Sequence, residues 1–446
     1  MGNHNTKESA NSLFSAEELK VLESTFRSVS GHSDKLSQEK LLTSWTNIIE
    51  LHLAKSTATF LFTVGQQRTG AITFKRFAEP YYIVQRGTSD EKLKLIAGSI
   101  DSEATNQIVI KDLENYVTSL VRSYLNIEVH QSNRALLSWQ KHGYTSADRS
   151  IHSFSKSQMR NLSKDDNPKV DIFHLERWLQ ANPTFLIIWN DVFTHLYGTH
   201  GGKTHKLSAG IESHIFPNCE GIPPDSNYTP ILEIPHIIFI NSNLPNQLRH
   251  KWRFLFSSKI QGESFSTMLG KITHKGPTLF VVEDEDHFIF GGYAPESWKL
   301  SPNFVGDDSS MLFTISPAMR CFNATNYNNH FQYLNLNQQT MPNGLGMGGQ
   351  FNYWGLWIDS EYGLGQSSES CTTYQDYVQL SKRKDFKIKN LEVWGIGDEP
   401  TLSDDSDEET GNNRSVLDKN LEDRVMLELA GKQMHSEGLR DPDLDL

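Results

Sequence analysis

The spacing of apolar residues divides the chain into a helical first half and a strand-rich second half. In "SAEELKVLESTFRSVSG", Leu19, Leu22, Phe26 and Val29 recur at helical intervals, Ser15 with Glu18 forms a capping box, and Gly31 stands where a helix ends. A second helix is predicted after Ser37, through Leu41, Leu42, Trp45, Ile48 and Ile49. Further on, "TGAITFKRF" and "SEATNQIVIKDL" set Ile72 and Ile108 between helical segments about one EF-hand length apart, which suggests a mutually paired set of EF-hand-like loops. Two more helices are predicted from Asp171 to Gly198, the second entered through Asn182 and Pro183.

After about Ile231 the period changes. "EIPHIIFINSNLP" and "HKWRFLFSS" carry apolar runs of strand length, and "GPTLFVVEDEDHFIFGGYA" reads as a hairpin with arms Thr278 to Val282 and His287 to Phe290. "GESFSTMLGKIT" is a short amphipathic helix through Phe265, Met268, Leu269 and Ile272. Met311 to Ile315, Phe331 to Leu336, Phe351 to Ile358 and Phe386 to Trp394 are strand candidates. Many short strands with few helices predict an antiparallel β-sandwich, so the whole chain reads as α+β.

Beyond Gly397, "DEPTLSDDSDEETGNN" is acidic, polar and without apolar periodicity, the composition of a linker. Past it, Leu417, Leu421, Val425 and Leu429 recur every four residues, with Met426 beside them, in a helix predicted from Ser415 to Gly431. A tethered amphipathic helix must find an apolar surface, and docking into a partner's groove is the favoured reading.

Composition narrows the function classes. With 446 residues, 37% hydrophobic and 22% charged, the chain has the make-up of a globular protein. A net charge of −12 and no basic stripe argue against nucleic acid as a partner. Cys219, Cys321 and Cys371 are far apart and odd in number, so a reducing, cytosolic setting is expected. The start "MGNHNT" fits the N-myristoylation pattern, with Gly2 as acceptor and Thr6 at the hydroxyl position. One such chain binds membranes only marginally, which calls for a second, membrane-bound partner.

The candidate chemistry is sparse. In the first EF-like loop, Gly65, Gln67 and Thr69 occupy carboxylate positions and Arg76 replaces the bidentate glutamate, so no hard dication is expected there. The second keeps Asp101 and Glu103, with Asp112 in place of the terminal glutamate, and leaves weak calcium binding as an alternative to a structural role. His195, His200 and His205 share no helical face and bring no carboxylate, so no metal site is predicted. The acidic run Glu283 to Asp286 reads as a solvated hairpin tip. Gly344, Gly346 and Gly349 match G-x-G-x-x-G, but the aromatic, β-favouring stretch that follows lacks the helix a dinucleotide site requires; a connection reversing the chain between strands is expected instead. Cys371 is the candidate redox nucleophile, with Glu392 or His330 as its partner, against the plainer reading of a packed thiol.

The ordered set "HKWRFLFSS", "GESFSTMLGKITHKGPTLFVVED", "FGGYAPESWK", "NGLGMGGQFNYWGLWID", "SCTTY" and "LEVWGIGD" resembles the TLDc domain. With the glycine start, the degenerate EF-hand region and the "HSEGLR" tail, the resemblance extends over nearly the whole chain. It implies a β-sandwich with flanking helices, no catalytic residues, no cofactor, and contact with the V1 sector of the vacuolar proton-pumping ATPase. It further implies a place on the cytosolic face of the lysosomal membrane, a link to mTOR complex components in nutrient signalling, and an association of such domains with resistance to oxidative stress. The organisation expected is a lipidated segment (1–14), an EF-hand-like domain (15–125), a helical connection (126–230), the TLDc domain (231–397), an acidic linker (398–414), the pump-contacting helix (415–431) and a tail (432–446).

Overall fold

A computed structural model describes residues 13–65, 67–100, 107–160, 162, 168–200, 203–204, 214–224 and 228–400. Gly2, Asp101, Glu103, His205 and the segment bearing Leu417, Leu421, Val425, Met426 and Leu429 lie outside the described residues. The chain divides into two compact units: Met1–Leu137 with Ser146–Ile215, and Ser138–Thr145 with Phe216–Leu446.

The first unit is helical, with α1 (Ala16–Ser30), α2 (Gln38–Trp45), α3 (Leu51–Phe62), α4 (Phe74–Arg86), α5 (Ser89–Ile100) and α6 (Ile110–His130). After α7 (Arg134–Gln140) come α8 (Asp148–Gln158), α9 (Ile172–Ala181) and α10 (Pro183–Gly198). The α1 signals act as their chemistry requires: the Ser15 hydroxyl accepts from the Glu18 N–H at 3.2 Å, the Glu18 carboxylate accepts from the Ser15 N–H at 2.8 Å, and Gly31 at φ 68° closes the helix. The α2 helix stops at Trp45, short of Ile48 and Ile49. Leu22, Phe26, Trp45, Phe77, Tyr81 and Tyr197 are buried together, each large apolar side chain contributing roughly 1.5–3 kcal/mol.

Ile72 and Ile108 are not each other's partners, contrary to the expectation from their spacing. Ile72 pairs with Leu36, and Ile108 pairs with Val170. Two further helix–loop–helix junctions therefore take part. Spacing shows that loops recur, but the strand of two or three residues that each contributes is too short to specify its partner.

The second unit is a twelve-stranded sheet among the described residues. Its strands are β1 (Asn218–Glu220), β2 (Lys251–Ser257), β3 (Thr278–Asp284), β4 (Ile289–Ala294), β5 (Ser301–Val305) and β6 (Met311–Ser316), then β7 (Arg320–Asn323), β8 (Gln332–Asn335), β9 (Gly344–Gln350), β10 (Tyr353–Asp359), β11 (Leu364–Gln366) and β12 (Asp385–Ile396). The order is β5-β8-β9-β10-β11-β12-β3-β4-β6-β7, with β2 also pairing with β12 and β1 beside β2. All pairings are antiparallel except β1 with β2. The 12-residue β12 joins the two halves, pairing with β11 at its start and with β3 and β2 farther along. Phe280, Val282, Phe290 and Leu312 from one half share a core with Leu345, Met347, Leu356 and Ile358 from the other, so the sheet packs as a sandwich.

Two sequence expectations change here. The run "IPHIIFINSN" is a helix, α11 (Ile234–Asn243), not a strand. Pro235 suits its first turn, His236 Nδ1 accepts from the Glu233 N–H at 3.0 Å, and Ile234 through Asn241 are buried on every side, which removes the amphipathic period that would have shown a helix. The second is "GLGMGGQ", which is strand β9 itself and not a connection; the chain reverses after it, around Phe351 and Asn352. A Cβ on Gly346 would lie 2.5 Å from the Trp354 ring, so the bare backbone is what admits Trp354 and Trp357, stacked 4.4 Å apart. Gly349 has φ 83°, and a Cβ there would meet the Tyr353 carbonyl at 2.1 Å.

Candidate functional site

In the helical unit, the fourth residue after each paired loop position decides what the loop holds. In the first two loops it is a cation. Arg76 donates to the carbonyls of Leu61 at 3.1 Å and Thr63 at 2.9 Å, and also to Phe60, all at the end of α3. Lys40 Nζ donates to the Ser30 carbonyl at 2.8 Å, at the end of α1. Each side chain puts a fixed positive charge on the C-terminal carbonyls of the entering helix, where a helix favours a cation. In the third loop that position is Asp112, exposed in the first turn of α6. In the fourth it is His174, bonded through Nδ1 to Asp171 at 2.7 Å. No group of three or more His, Cys, Asp or Glu side chains converges among the described residues.

Beside Arg76 lies an apolar groove of about 410 Å³. Phe60 from α3 and Phe74, Ala78, Tyr82 and Ile83 from α4 form its wall, and Leu13 and Phe14 close one side. The Phe14 ring meets Tyr82 edge-on at 6.0 Å, and the Arg76 guanidinium sits 4.4 Å over Phe60. Lys75, Glu79, Glu91 and Lys94 supply a charged rim. Its size falls within the roughly 300–1,000 Å³ of small-molecule pockets. No pattern of ligand residues announces it in the sequence, because its wall is the ordinary apolar face of two helices.

In the sheet unit, Cys371 is 9% exposed and packs in the sandwich core with Met347, Leu356 and Tyr374. Burial pushes its thiol above the ordinary value despite hydrogen bonding from Thr373, the opposite of what a thiolate nucleophile needs. The two residues considered as its partners are engaged elsewhere. His330 bonds through Nδ1 to the Gly349 carbonyl and stacks on Phe304 at 4.3 Å. Glu392 is fully buried in β12.

Glu392 is the centre of a network. Tyr228 donates to its Oε1 at 2.9 Å, the Ile231 N–H at 3.4 Å, and Trp394 Nε1 reaches Oε2 at 3.4 Å. Tyr144 bonds to the Tyr228 hydroxyl at 2.6 Å. Burial pushes the Glu392 carboxyl up to about 7, the bonds from Tyr228 and Trp394 opposing that rise only in part. Tyr144 belongs to Ser138–Thr145, which joins this unit from earlier in the chain. In the same stretch Trp139 lies 5.5 Å from Trp252 and 5.2 Å from Trp394 and donates to the Pro217 carbonyl at 2.7 Å. The one sequence signal for this network is a glutamate between Leu391 and Val393 in an otherwise apolar stretch of β12; Tyr144 and Trp139 are too distant in sequence to suggest themselves.

At the β3–β4 hairpin, nearby side chains satisfy the carboxylates. Glu283 bonds to Lys389 at 2.8 Å and to Asn390; burial raises its pKa, but these bonds and one from His287 bring it net below the usual range. Asp284, 1% exposed, accepts from Ser381 at 2.6 Å and from the Phe288 N–H at 2.8 Å. Asp286 pairs with Arg383 at 3.2 Å. No described helix is long and apolar enough to cross a membrane.

Comparison with known proteins fits this division. The family model of the TLDc domain matches residues 226–397, a span inside the second unit that begins after Tyr144. The MTOR-associated protein MEAK7 of Gallus gallus is 37% identical over 371 residues, covering 80% of this chain and 76% of that protein. Its Homo sapiens counterpart is 46% identical over 369 residues, covering 80% and 77%. Nuclear receptor coactivator 7 of Mus musculus is 34% identical over 177 residues, 39% of this chain and 18% of that protein. The first similarity spans more chain than the sheet unit has; the last has the length of a TLDc domain.

Proposed function

This chain belongs to the TLDc-domain family of MTOR-associated proteins, and on that premise we propose that it is a non-enzymatic adaptor in mTOR-linked nutrient signalling. It binds the V1 sector of the vacuolar proton-pumping ATPase through the TLDc domain and the helix from Ser415 to Gly431, on the cytosolic face of the lysosome. A myristoyl chain on Gly2 gives the membrane contact. The observation that carries the reading is the similarity over 80% of the chain to proteins named for MTOR association. Two features of the described residues favour an adaptor over the alternatives. The thiol proposed for redox work is buried with a raised pKa, and two of the EF-like loops carry Arg76 and Lys40 on the carbonyls of their entering helices.

Several weak contacts on one chain reinforce one another by raising effective concentration. Capture of the pump from lysosomal membranes by the full-length chain is therefore expected to fall by about tenfold on deletion of residues 415–446. Gly2→Ala is expected to reduce lysosomal recruitment while leaving binding to the purified pump intact. Pump recovery no greater than that of an unrelated acylated control overturns the reading.

A further inference from the structure

We propose that the groove between α3 and α4 is a binding site for the chain's own N-terminal acyl group, so that the first unit holds the lipid when no membrane does. The inference rests on the Gly2 lipidation of the preceding reading and adds where the lipid goes. Three observations carry it. Phe60, Phe74, Ala78, Tyr82 and Ile83 give the groove a mainly apolar wall, as a hydrocarbon chain requires, alongside Lys75, Arg76, Glu79, Glu91 and Lys94. The cavity of about 410 Å³ is of small-ligand size. The described chain also begins at the groove: Leu13 and Phe14 are part of its wall, with Phe14 edge-on to Tyr82 at 6.0 Å. Gly2 precedes Leu13 by about 11 residues, an arm that spans up to roughly 36–40 Å when extended and so brings the acyl group back to the groove with slack to spare.

Such a site competes with the membrane for the acyl group. A tether of about this length gives an effective concentration on the order of 1 mM. A single myristoyl chain binds bilayers with an association constant of roughly 10⁴ M⁻¹. A groove of equal intrinsic affinity then holds the acyl group about tenfold in favour of the sequestered form and lowers membrane binding by a similar factor. The phenylalanine rings and Ile83 supply apolar contact for a saturated chain, and the charged side chains stand at the rim.

The test uses the full chain coexpressed with an N-myristoyltransferase, its acylation read from intact mass. Hydrogen exchange through Phe74–Arg86 is expected to be slower in the acylated chain than in Gly2→Ala. Tyr82→Glu and Phe74→Glu, both at half-buried positions, are expected to cancel that protection. They should also raise binding of the acylated chain to phosphatidylcholine vesicles containing phosphatidylserine by about 5–10-fold, with no rise in the Gly2→Ala background. Equal exchange in acylated and Gly2→Ala chains overturns the proposal, and this arm does not depend on either groove variant folding. Protection that ignores acylation but disappears on deletion of 415–446 assigns the groove to the C-terminal helix, and protection that grows with protein concentration assigns it to a second copy; either overturns the proposal. A chain that is never acylated overturns the lipidation reading together with this one, whereas an acylated chain with an unprotected groove overturns this one alone.

Discussion

Each unit buries a glutamate, and the two are treated in opposite ways. Glu18 in the helical unit is 5% exposed and accepts from Arg86 at 2.8 and 2.9 Å, from Tyr81 at 3.0 Å and from the Ser15 N–H. Burial raises its pKa, but the Ser15 and Arg86 bonds more than offset this and hold the carboxyl below the usual range. Glu392 in the sheet unit is fully buried among phenol, indole and backbone N–H donors with no guanidinium or ammonium bonded to it, and its carboxyl rises to about 7. Burial raises both carboxyls; the two differ in how far hydrogen bonds and the nearby Arg86 charge offset that rise. At these two sites a guanidinium meets the buried carboxylate of Glu18, as Arg76 and Lys40 meet helix-end carbonyls, while Glu392 is held by neutral donors.

The contrast breaks most visibly at Glu18. Glu18→Ala removes the carboxylate half of the capping box, the bond from the Ser15 N–H, leaves the buried Tyr81 hydroxyl without its acceptor and unpairs Arg86, and is expected to destabilise the helical unit by about 3 kcal/mol. Hydrogen exchange measured by segment should accelerate through Ala16–Ser30 and Phe74–Arg86 and stay unchanged in β3 and β12. Acceleration in both units would end the claim that the effect is local.

Next in size is the pH response of Glu392. Its folded pKa lies above the ordinary carboxylate value of 4.5, so the stability it contributes is present below about 4.5 and is lost as pH rises through about 7. The sheet unit is expected to be less stable at pH 8 than at pH 5 by on the order of 2 kcal/mol from this group, and Glu392→Gln is expected to flatten that slope. An unaltered slope in the variant would show that the carboxyl is not the titrating group. Glu18 provides the opposite sign: its stabilisation is present above the ordinary carboxylate pKa and is lost as pH falls through its lowered value.

The smallest effect sharpens the comparison. Tyr228→Phe deletes the donor at 2.9 Å and is expected to cost about 1 kcal/mol at pH 5, where the acid is neutral, and more at pH 8, where the lost donor had been facing a carboxylate. Chemical denaturation of the variant at the two pH values measures it. Equal costs at both would mean that Glu392 keeps one protonation state across the range.

How far all this was legible in the sequence depends on the range of the interactions involved. Ser15, Glu18, Leu22, Phe26 and Gly31 specify α1 because capping and amphipathic burial act within a few residues. Ser264 and Phe265 to Ile272 do the same for the helix before β3. "IPHIIFINSN" was misleading because a segment buried on every side has no polar face to display its period. The candidate groove was not legible at all, since its apolar wall follows the same pattern as any packed helix face.

The sequence by itself determined the α-then-β order, the cation Arg76 in an EF-like loop and the TLDc resemblance, because each rests on residue type at short spacing. Only the tertiary structure decided that Ile72 meets Leu36 and Ile108 meets Val170, that "GLGMGGQ" is a strand beneath two indoles, and that Tyr144 and Trp139 complete the surroundings of Glu392. Those outcomes depend on which surfaces remain to be buried once the chain has collapsed, a choice made between segments far apart in sequence and therefore absent from any local pattern.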